Sequence, residues 1–244
     1  MRHSLVIGGA GGIGSAVCAA LAETGGPVTV ADRNGEAAAA VAQALTAKGH
    51  TARGVACDAT SANAVEALKA QAEDAYGPVD VLVTMAGVIR NDLLVKVKDE
   101  DFDLVLATHV KSTLNAMRIF LPAMRARGYG RVVTMSSLAG RGSVAGASYA
   151  AAKSAIEGLT RTAAIETAKY GVTVNCVAPA LIDAGMFRTV PKEYQDKGVQ
   201  AIPMRRPGEP REVAACVRFL ASDDASYITG QIITVCGGLS LGPL

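Results

Sequence analysis

Short, β-branched apolar runs alternate along this chain with longer stretches in which alanine, leucine and valine return every three or four positions among polar residues. Runs at 5–7, 28–30, 79–83, 131–135, 172–177 and 232–235 are the clearest strands, and their nearly unbroken hydrophobicity predicts burial on both faces. Helical periodicity marks 36–48, 62–75, 99–127, 149–169 and 210–222, with another helix opening at Ala16 after the first apolar run. Such alternation predicts an α/β fold: a doubly wound parallel sheet of about seven strands with helices on both faces. No linker, repeat or low-complexity tract divides the chain, so residues 1–244 read as a single domain. The segment 180–210 lacks a clear element and carries Pro191, Pro203, Pro207 and Pro210. It follows a strand, and loops after strand C-termini build the sites of open α/β sheets, so it is expected to form a substrate lid.

Composition narrows the function. Half of the residues are hydrophobic and 19% are charged, as in a compact, well-buried enzyme. The formal charge is +2 without a basic stripe interleaved with aromatics, which speaks against nucleic acid as a partner. Five cysteines, odd in number and set in apolar runs, read as reduced core residues. Three histidines and no CxxC leave nothing at metal-ligand spacing, so no metal is expected. Neither a signal peptide nor a long uncharged stretch is present, and the expectation is a cytoplasmic protein without membrane association.

The candidate chemistry lies in two fragments. Gly8-Gly9-Ala10-Gly11-Gly12-Ile13-Gly14 follows the first strand and opens the first helix. In that setting Gly8 permits the tight turn, Gly12 lets backbone approach a pyrophosphate, and Gly14 lets helix and strand pack closely, while the helix N-terminus offers unpaired N–H groups. This is the phosphate cradle of a Rossmann fold, or else a glycine-rich turn without a ligand. Asp32 closes the second strand, 18 residues beyond Gly14, where a carboxylate accepts from an adenosine ribose and repels a 2′-phosphate. The other reading is a cap on the next helix. Arg33 beside it is the residue that would reach a 2′-phosphate. The second fragment, Tyr149-Ala150-Ala151-Ala152-Lys153, puts a phenol and an ammonium one helical turn apart, so the charge is expected to lower the tyrosine pKa and make it a general base.

Taken in order, the glycine turn, Asp32, Met135-Ser136-Ser137-Leu138-Ala139-Gly140, Tyr149-xxx-Lys153, Asn175-Cys176-Val177-Ala178-Pro179 and Gly230-Gln231 resemble the single-domain short-chain dehydrogenases/reductases over nearly the whole chain. Ala86-Gly87-Val88-Ile89-Arg90-Asn91-Asp92 further resembles their 3-oxoacyl reductase and 3-hydroxyacyl dehydrogenase branch. The resemblance implies one dinucleotide-binding catalytic domain and hydride transfer between NAD(H) and a secondary alcohol or ketone, such as a 3-hydroxyacyl or 3-oxoacyl thioester or an alicyclic alcohol. Tyr149 would exchange a proton with the substrate oxygen, Ser137 would hydrogen-bond that oxygen, and Lys153 would hold the nicotinamide ribose and tune Tyr149. Gly8, Gly12, Ile13, Gly14, Asp32, Arg33, Asp58, Ala86, Gly87, Tyr149, Lys153, Pro179 and Ile182 would line the cofactor. The carboxylate of Asp32 favours NAD over NADP. A homotetramer acting on a small molecule is implied as well.

Two alternatives stay open: an NADPH-dependent 3-oxoacyl-carrier-protein reductase, and a dinucleotide-binding regulatory or scaffold protein without turnover. Departures from the family pattern motivate the latter. Thr84-Met85 replaces a pair of asparagines, Ala184 replaces a threonine that commonly binds the carboxamide, and His109 replaces an asparagine. His109 stands at the asparagine of the family's catalytic tetrad, whose backbone carbonyl holds a relay water. It is either a proton-shuttling catalytic residue or a hydrogen-bonded core histidine. Leu138, Val144, Leu181, Met186 and Phe187 are expected to wall an apolar substrate pocket.

Overall fold

The computed structural model describes residues 1–242, apart from the side chain of Met186. Seven strands, β1 (His3–Ile7), β2 (Val28–Asp32), β3 (Ala52–Ala56), β4 (Val79–Thr84), β5 (Gly130–Met135), β6 (Val172–Pro179) and β7 (Ile232–Val235), form one sheet in the order β3-β2-β1-β4-β5-β6-β7. Every pairing is parallel. The doubly wound expectation is met. The chain runs outward from β1 to β3 and then crosses back to β4, so the strand order reverses between β1 and β4, where such sheets bind ligands.

Helices α1 (Gly12–Ala22), α2 (Gly35–Thr46) and α8 (Pro210–Leu220) cover one face, where Val17, Leu21, Ala38, Val213 and Val217 pack on Val6 and Val30. On the other face α3 (Ala62–Tyr76) and α5 (Ser112–Arg127) bring Val65, Leu68, Phe120 and Met124 onto Leu5, Ile7 and Leu82. Alternation along β1 thus feeds both cores, which is why that strand reads as a solid apolar run. Edge strand β3 was not among the clear strands because it reads Ala-Arg-Gly-Val-Ala and buries only Val55. Gly54 is there for packing: a Cβ would lie 2.4 Å from the backbone nitrogen of Ala39 on α2.

The stretch 99–127, expected as one helix, is interrupted. Helix α4 (Asp99–Leu106) gives way to a π-turn, Ala107–Lys111, before α5 resumes. Hydroxyls compete with the helical ladder at this point: Thr108 donates to the Leu104 carbonyl at 2.7 Å, Ser112 to Thr108 at 2.6 Å and Thr113 to His109 at 2.8 Å. A widened turn of this kind marks functional sites more often than ordinary helix does. Helix α6 (Ala147–Thr167) carries Tyr149 and Lys153 in its first two turns. The segment 180–210, read as lacking elements, holds a 3₁₀ turn (Gly185–Thr189) and α7 (Lys192–Ala201), and mutual backbone bonds of Leu181 and Asp183 with Gly208 tie its two ends together.

Candidate active site

The glycine turn performs the packing asked of it. Gly8 has φ +86°, and a Cβ there would lie 2.6 Å from the nitrogen of Ala86, so the loop after β4 presses directly on the turn. A Cβ on Gly14 would lie 2.3 Å from the Gly8 carbonyl oxygen, which excludes any side chain at the first turn of α1. On Gly12 it would meet the Ala184 Cβ at 2.9 Å. The N-cap, Gly11, makes no side-chain capping bond and the first turn of α1 has no acidic residue, so the helix N-terminus keeps its unpaired donors and its positive end for an anion. The residues present fit a dinucleotide pyrophosphate.

Asp32 ends β2 at the rim of this turn. One carboxylate oxygen accepts from the Ala10 N–H at 3.2 Å and the other from the Asn34 N–H at 3.1 Å. The helix-cap alternative falls, because the N-cap of α2 is Asn34, whose side chain accepts from Ala37. Arg33 is exposed beside it. Asp58 is exposed too, and hydrogen bonds from the Thr60 hydroxyl and N–H hold its carboxyl below the usual range. A residue missed in the sequence braces that loop: buried Asn115 on α5 donates to the carbonyls of Ala59 and Thr60 at 3.0 and 3.1 Å. A buried amide inside a helix is the signal that was available.

Beyond the turn opens a cavity of about 390 Å³. Gly8, Gly12, Ile13 and Gly14 line one end, His109, Ser137, Tyr149 and Lys153 the other, and Pro179 and Ile182 lie between. Gly87 also lines it. Ala86 does not; it backs Gly8 and packs into the core. Leu181, Phe187, Val190, Met85 and Ile89 supply the apolar wall. Two residues expected there are elsewhere: Val144 is 90% exposed and Leu138 turns away on the 3₁₀ turn Leu138–Arg141. The side chain of Met186 lies outside the described ones.

The structure distinguishes the two serines. Ser136 is buried and its hydroxyl is committed to the Lys153 carbonyl and to Glu157, at 3.1 and 3.0 Å. Ser137 faces the cavity: its hydroxyl accepts from the Ala139 N–H at 3.2 Å, makes a long 3.4 Å contact to the Pro179 carbonyl and interacts with the Tyr149 phenol. Lys153, 3% exposed, donates from Nζ to the Met135 carbonyl at 2.7 Å. Burial lowers its pKa to about 8.

The expectation that this ammonium depresses the Tyr149 pKa is corrected. Burial of the phenol pushes its pKa up, and the hydrogen bond with Ser137 is what draws it back. Nζ is engaged by the Met135 carbonyl and sits over the Tyr149 ring, 5.3 Å from its centroid.

His109 lies in the π-turn, 2% exposed, with its ring edge-to-face against Tyr149 at 5.3 Å. Its Nε2 is 2.8 Å from the Val88 carbonyl oxygen. Its own carbonyl, the group that holds a relay water in the family, already accepts from Thr113 and Ser112. Among the described residues there is no group of three or more side chains able to hold a metal, and no helix long and apolar enough to cross a membrane.

A tyrosine, a serine and a buried lysine thus share one cavity with the glycine turn, and the chain belongs to the short-chain dehydrogenase/reductase family, as an oxidoreductase acting on CH–OH and keto groups. The family model described as Enoyl-(Acyl carrier protein) reductase matches residues 8–240. A hydroxy(phenyl)methylsuccinyl-CoA dehydrogenase subunit of Thauera aromatica is 35% identical over 240 residues, covering 98% of this chain and 97% of that protein. A 3-oxoacyl-acyl-carrier-protein reductase of Staphylococcus epidermidis is likewise 35% identical, with 98% of each chain covered. Among solved structures, that of levodione reductase superposes with a TM-score of 0.95 at 30% identity, covering 98% of both chains.

Proposed function

We propose that this enzyme transfers hydride between NAD(H), in preference to NADP(H), and a compact, uncharged secondary alcohol or ketone. The single observation that carries the chemistry is that Ser137, Tyr149 and Lys153 line the same cavity as the glycine turn. The dinucleotide supplies or accepts the hydride. In reduction, Tyr149 donates its phenolic proton to the carbonyl oxygen while Ser137 donates a hydrogen bond to the same oxygen; in oxidation, the phenol recovers that proton. Lys153, buried at the floor of the site, would hold the cofactor ribose. Segment 180–210 closes over the apolar wall as a lid, within one catalytic domain of residues 1–244.

Charge and shape support the substrate class. Among the described residues, Tyr149, Lys153 and His109 are the titratable side chains on the cavity wall, and none is a free cation. In the lid, Arg188 forks onto Asp183, Lys192 pairs with Asp196 and Lys197 with Glu193, so these cations are neutralised where they stand. Arg125 and Lys169, at the place of a carrier-docking surface in relatives, both stack on Tyr170, and Arg127 is tied to Asp80. Five unpaired cysteines support a reducing, cytoplasmic setting. Exposed Leu114 on α5 and Ile165 on α6 support assembly as a homotetramer.

Cofactor choice rests on Asp32. A 2′-phosphate would replace a charge-assisted hydrogen bond with like-charge repulsion, a difference of at least about tenfold at this half-exposed rim. Steady-state kinetics with both cofactors and a panel of cyclic ketones and 3-oxoacyl thioesters tests both claims. NADH and the cyclic ketones should give the higher kcat/KM, and Asp32→Ala should shift preference toward NADPH with Arg33 free to pair. Equal or better use of NADPH by the unaltered enzyme would show that Asp32 does not read the ribose.

A further inference from the structure

Among the described polar side chains of the cavity, two have no part in the proton and hydride transfers described above: Ser136, whose hydroxyl is spent on Glu157 and the Lys153 carbonyl, and His109. The ring fills the space over Gly87 so completely that a Cβ there would lie 1.9 Å from Cε1, 2.4 Å from Nδ1 and 2.6 Å from Nε2. Nε2 reaches both the oxygen and the nitrogen of Val88, at 2.8 and 3.1 Å. The opposite flank of the ring meets Tyr149 edge-on. One imidazole therefore touches the loop after β4, which lines the cavity, and the tyrosine that exchanges the proton.

We propose that His109 is a positioning residue, a neutral clamp that fixes Gly87 and Val88 at the cofactor end of the cavity and buttresses the Tyr149 ring, and that it carries no proton itself. A single ring nitrogen serves one partner in a given tautomer: with the proton on Nδ1, Nε2 would accept from the Val88 N–H and a buried Nδ1–H would lack an acceptor, so the less costly tautomer carries the proton on Nε2, donated to the Val88 carbonyl. Nδ1 then presents a bare lone pair, and it has no hydrogen-bond partner among the described residues. A shuttle must gain a proton at one nitrogen and release it at the other, whereas here Nε2–H is held by backbone. A second proton is opposed by burial and by the Lys153 ammonium, which together lower the His109 pKa to about 3. Lys153 and Tyr149, both from α6, are the titratable groups placed against the ring; Lys111 on its own turn is exposed.

The clamp makes residues 87 and 109 a coupled pair, since the ring stands where any side chain at 87 would go. Their coupling is measured by a cycle of Gly87→Ala, His109→Ala and the double variant, read as NADH dissociation constant and melting temperature. Gly87→Ala should weaken NADH by about tenfold, and removing the ring in the double variant should restore several-fold of that loss. Simple additivity of the two losses would overturn the proposal. His109→Gln places an amide donor near the Nε2 position and should recover most of the kcat and NADH affinity that His109→Ala loses, with an unmoved pH profile. If Gln and Ala are equally impaired and the profile shifts, the imidazole is a shuttle. Nitrogen-resolved NMR of the imidazole gives a readout that needs no turnover: a neutral Nε2–H ring from about pH 5 to 9 is expected, and protonation within that window, or a proton on Nδ1, would refute the clamp. The kinetic consequences rest on the hydride-transfer reading, whereas the melting cycle and the NMR do not. An enzyme that reduces no carbonyl would therefore sink that reading and leave the clamp to be judged on its own.

Discussion

At the scale of single residues, the site separates groups that act from groups that hold. Ser137 and Tyr149 face the cavity and each other, while Ser136 is spent on Glu157 and the Lys153 carbonyl. Tyr149→Phe should cut kcat by at least about a hundredfold and leave NADH binding nearly unchanged, because the ring still packs but no proton reaches the substrate oxygen. Comparable losses in NADH titration and kcat would show that the phenol serves the cofactor instead. Lys153 supplies a pH test. Its folded pKa, about 8, lies below the ordinary 10.5, so between those values the unfolded chain binds the proton and the native state does not. Stability from this group therefore rises with pH across that window, by up to about 3 kcal/mol at 1.36 kcal/mol per unit. Denaturant unfolding of the wild type and Lys153→Met from pH 7 to 11 should show that rise in the former and not the latter. Parallel curves would mean that the buried ammonium is not desolvated as its surroundings indicate.

At the scale of elements, two joints make the site: the turn between β1 and α1, and the π-turn between α4 and α5. The first depends on close approach of backbone, and its glycines are not equivalent. A Cβ on Gly14 would lie 2.3 Å from the Gly8 oxygen, whereas on Gly11 its nearest neighbour would be 3.6 Å away. Gly14→Ala should therefore cost more than about 2 kcal/mol, as overpacking against rigid backbone does, and should abolish NADH binding. Gly11→Ala should melt close to the wild type. Similar melting temperatures for the two would contradict the packing of α1 on its strand. At the second joint, Thr108, Ser112 and Thr113 bend the ladder open just where His109 enters the cavity. Helical periodicity did not reveal this break, because hydroxyl competition costs no hydrophobic position.

At the scale of the whole molecule, the parallel sheet gathers at one edge residues as distant in sequence as Gly8, Asp32, His109, Ser137 and Pro179. The outer helices leave apolar side chains in solvent, with Ile165 on α6 at 81% exposure, Leu114 on α5 at 41% and Phe219 on α8 at 43%. The proposed homotetramer would cover such side chains. Light scattering at working concentration should report four protomers, and a monomer would remove assembly from the proposed function.

The sequence by itself determined the strand–helix alternation, the glycine turn and the spacing of Tyr149 and Lys153, because each is written in local hydrophobic period or in residues only a few positions apart. Resemblance to the family pattern, and not local period, gave the preference for Ser137 over Ser136. What only tertiary structure decided depends on contacts between distant segments. Edge strand β3 is faint in the pattern because one side of it has no neighbouring strand, and Gly54 shows its purpose only against Ala39. The Tyr149 pKa goes up and not down because burial of the phenol outweighs its hydrogen bond with Ser137. Val144 proved exposed, and Asn115 became a brace for the Asp58 loop, through packing that no local pattern encodes. Gly87 and His109 are 22 positions apart in the chain, and their mutual fit exists only once β4 and the π-turn are brought side by side. Local sequence sets which groups are available; desolvation and steric fit, which are properties of the folded whole, set what those groups can do.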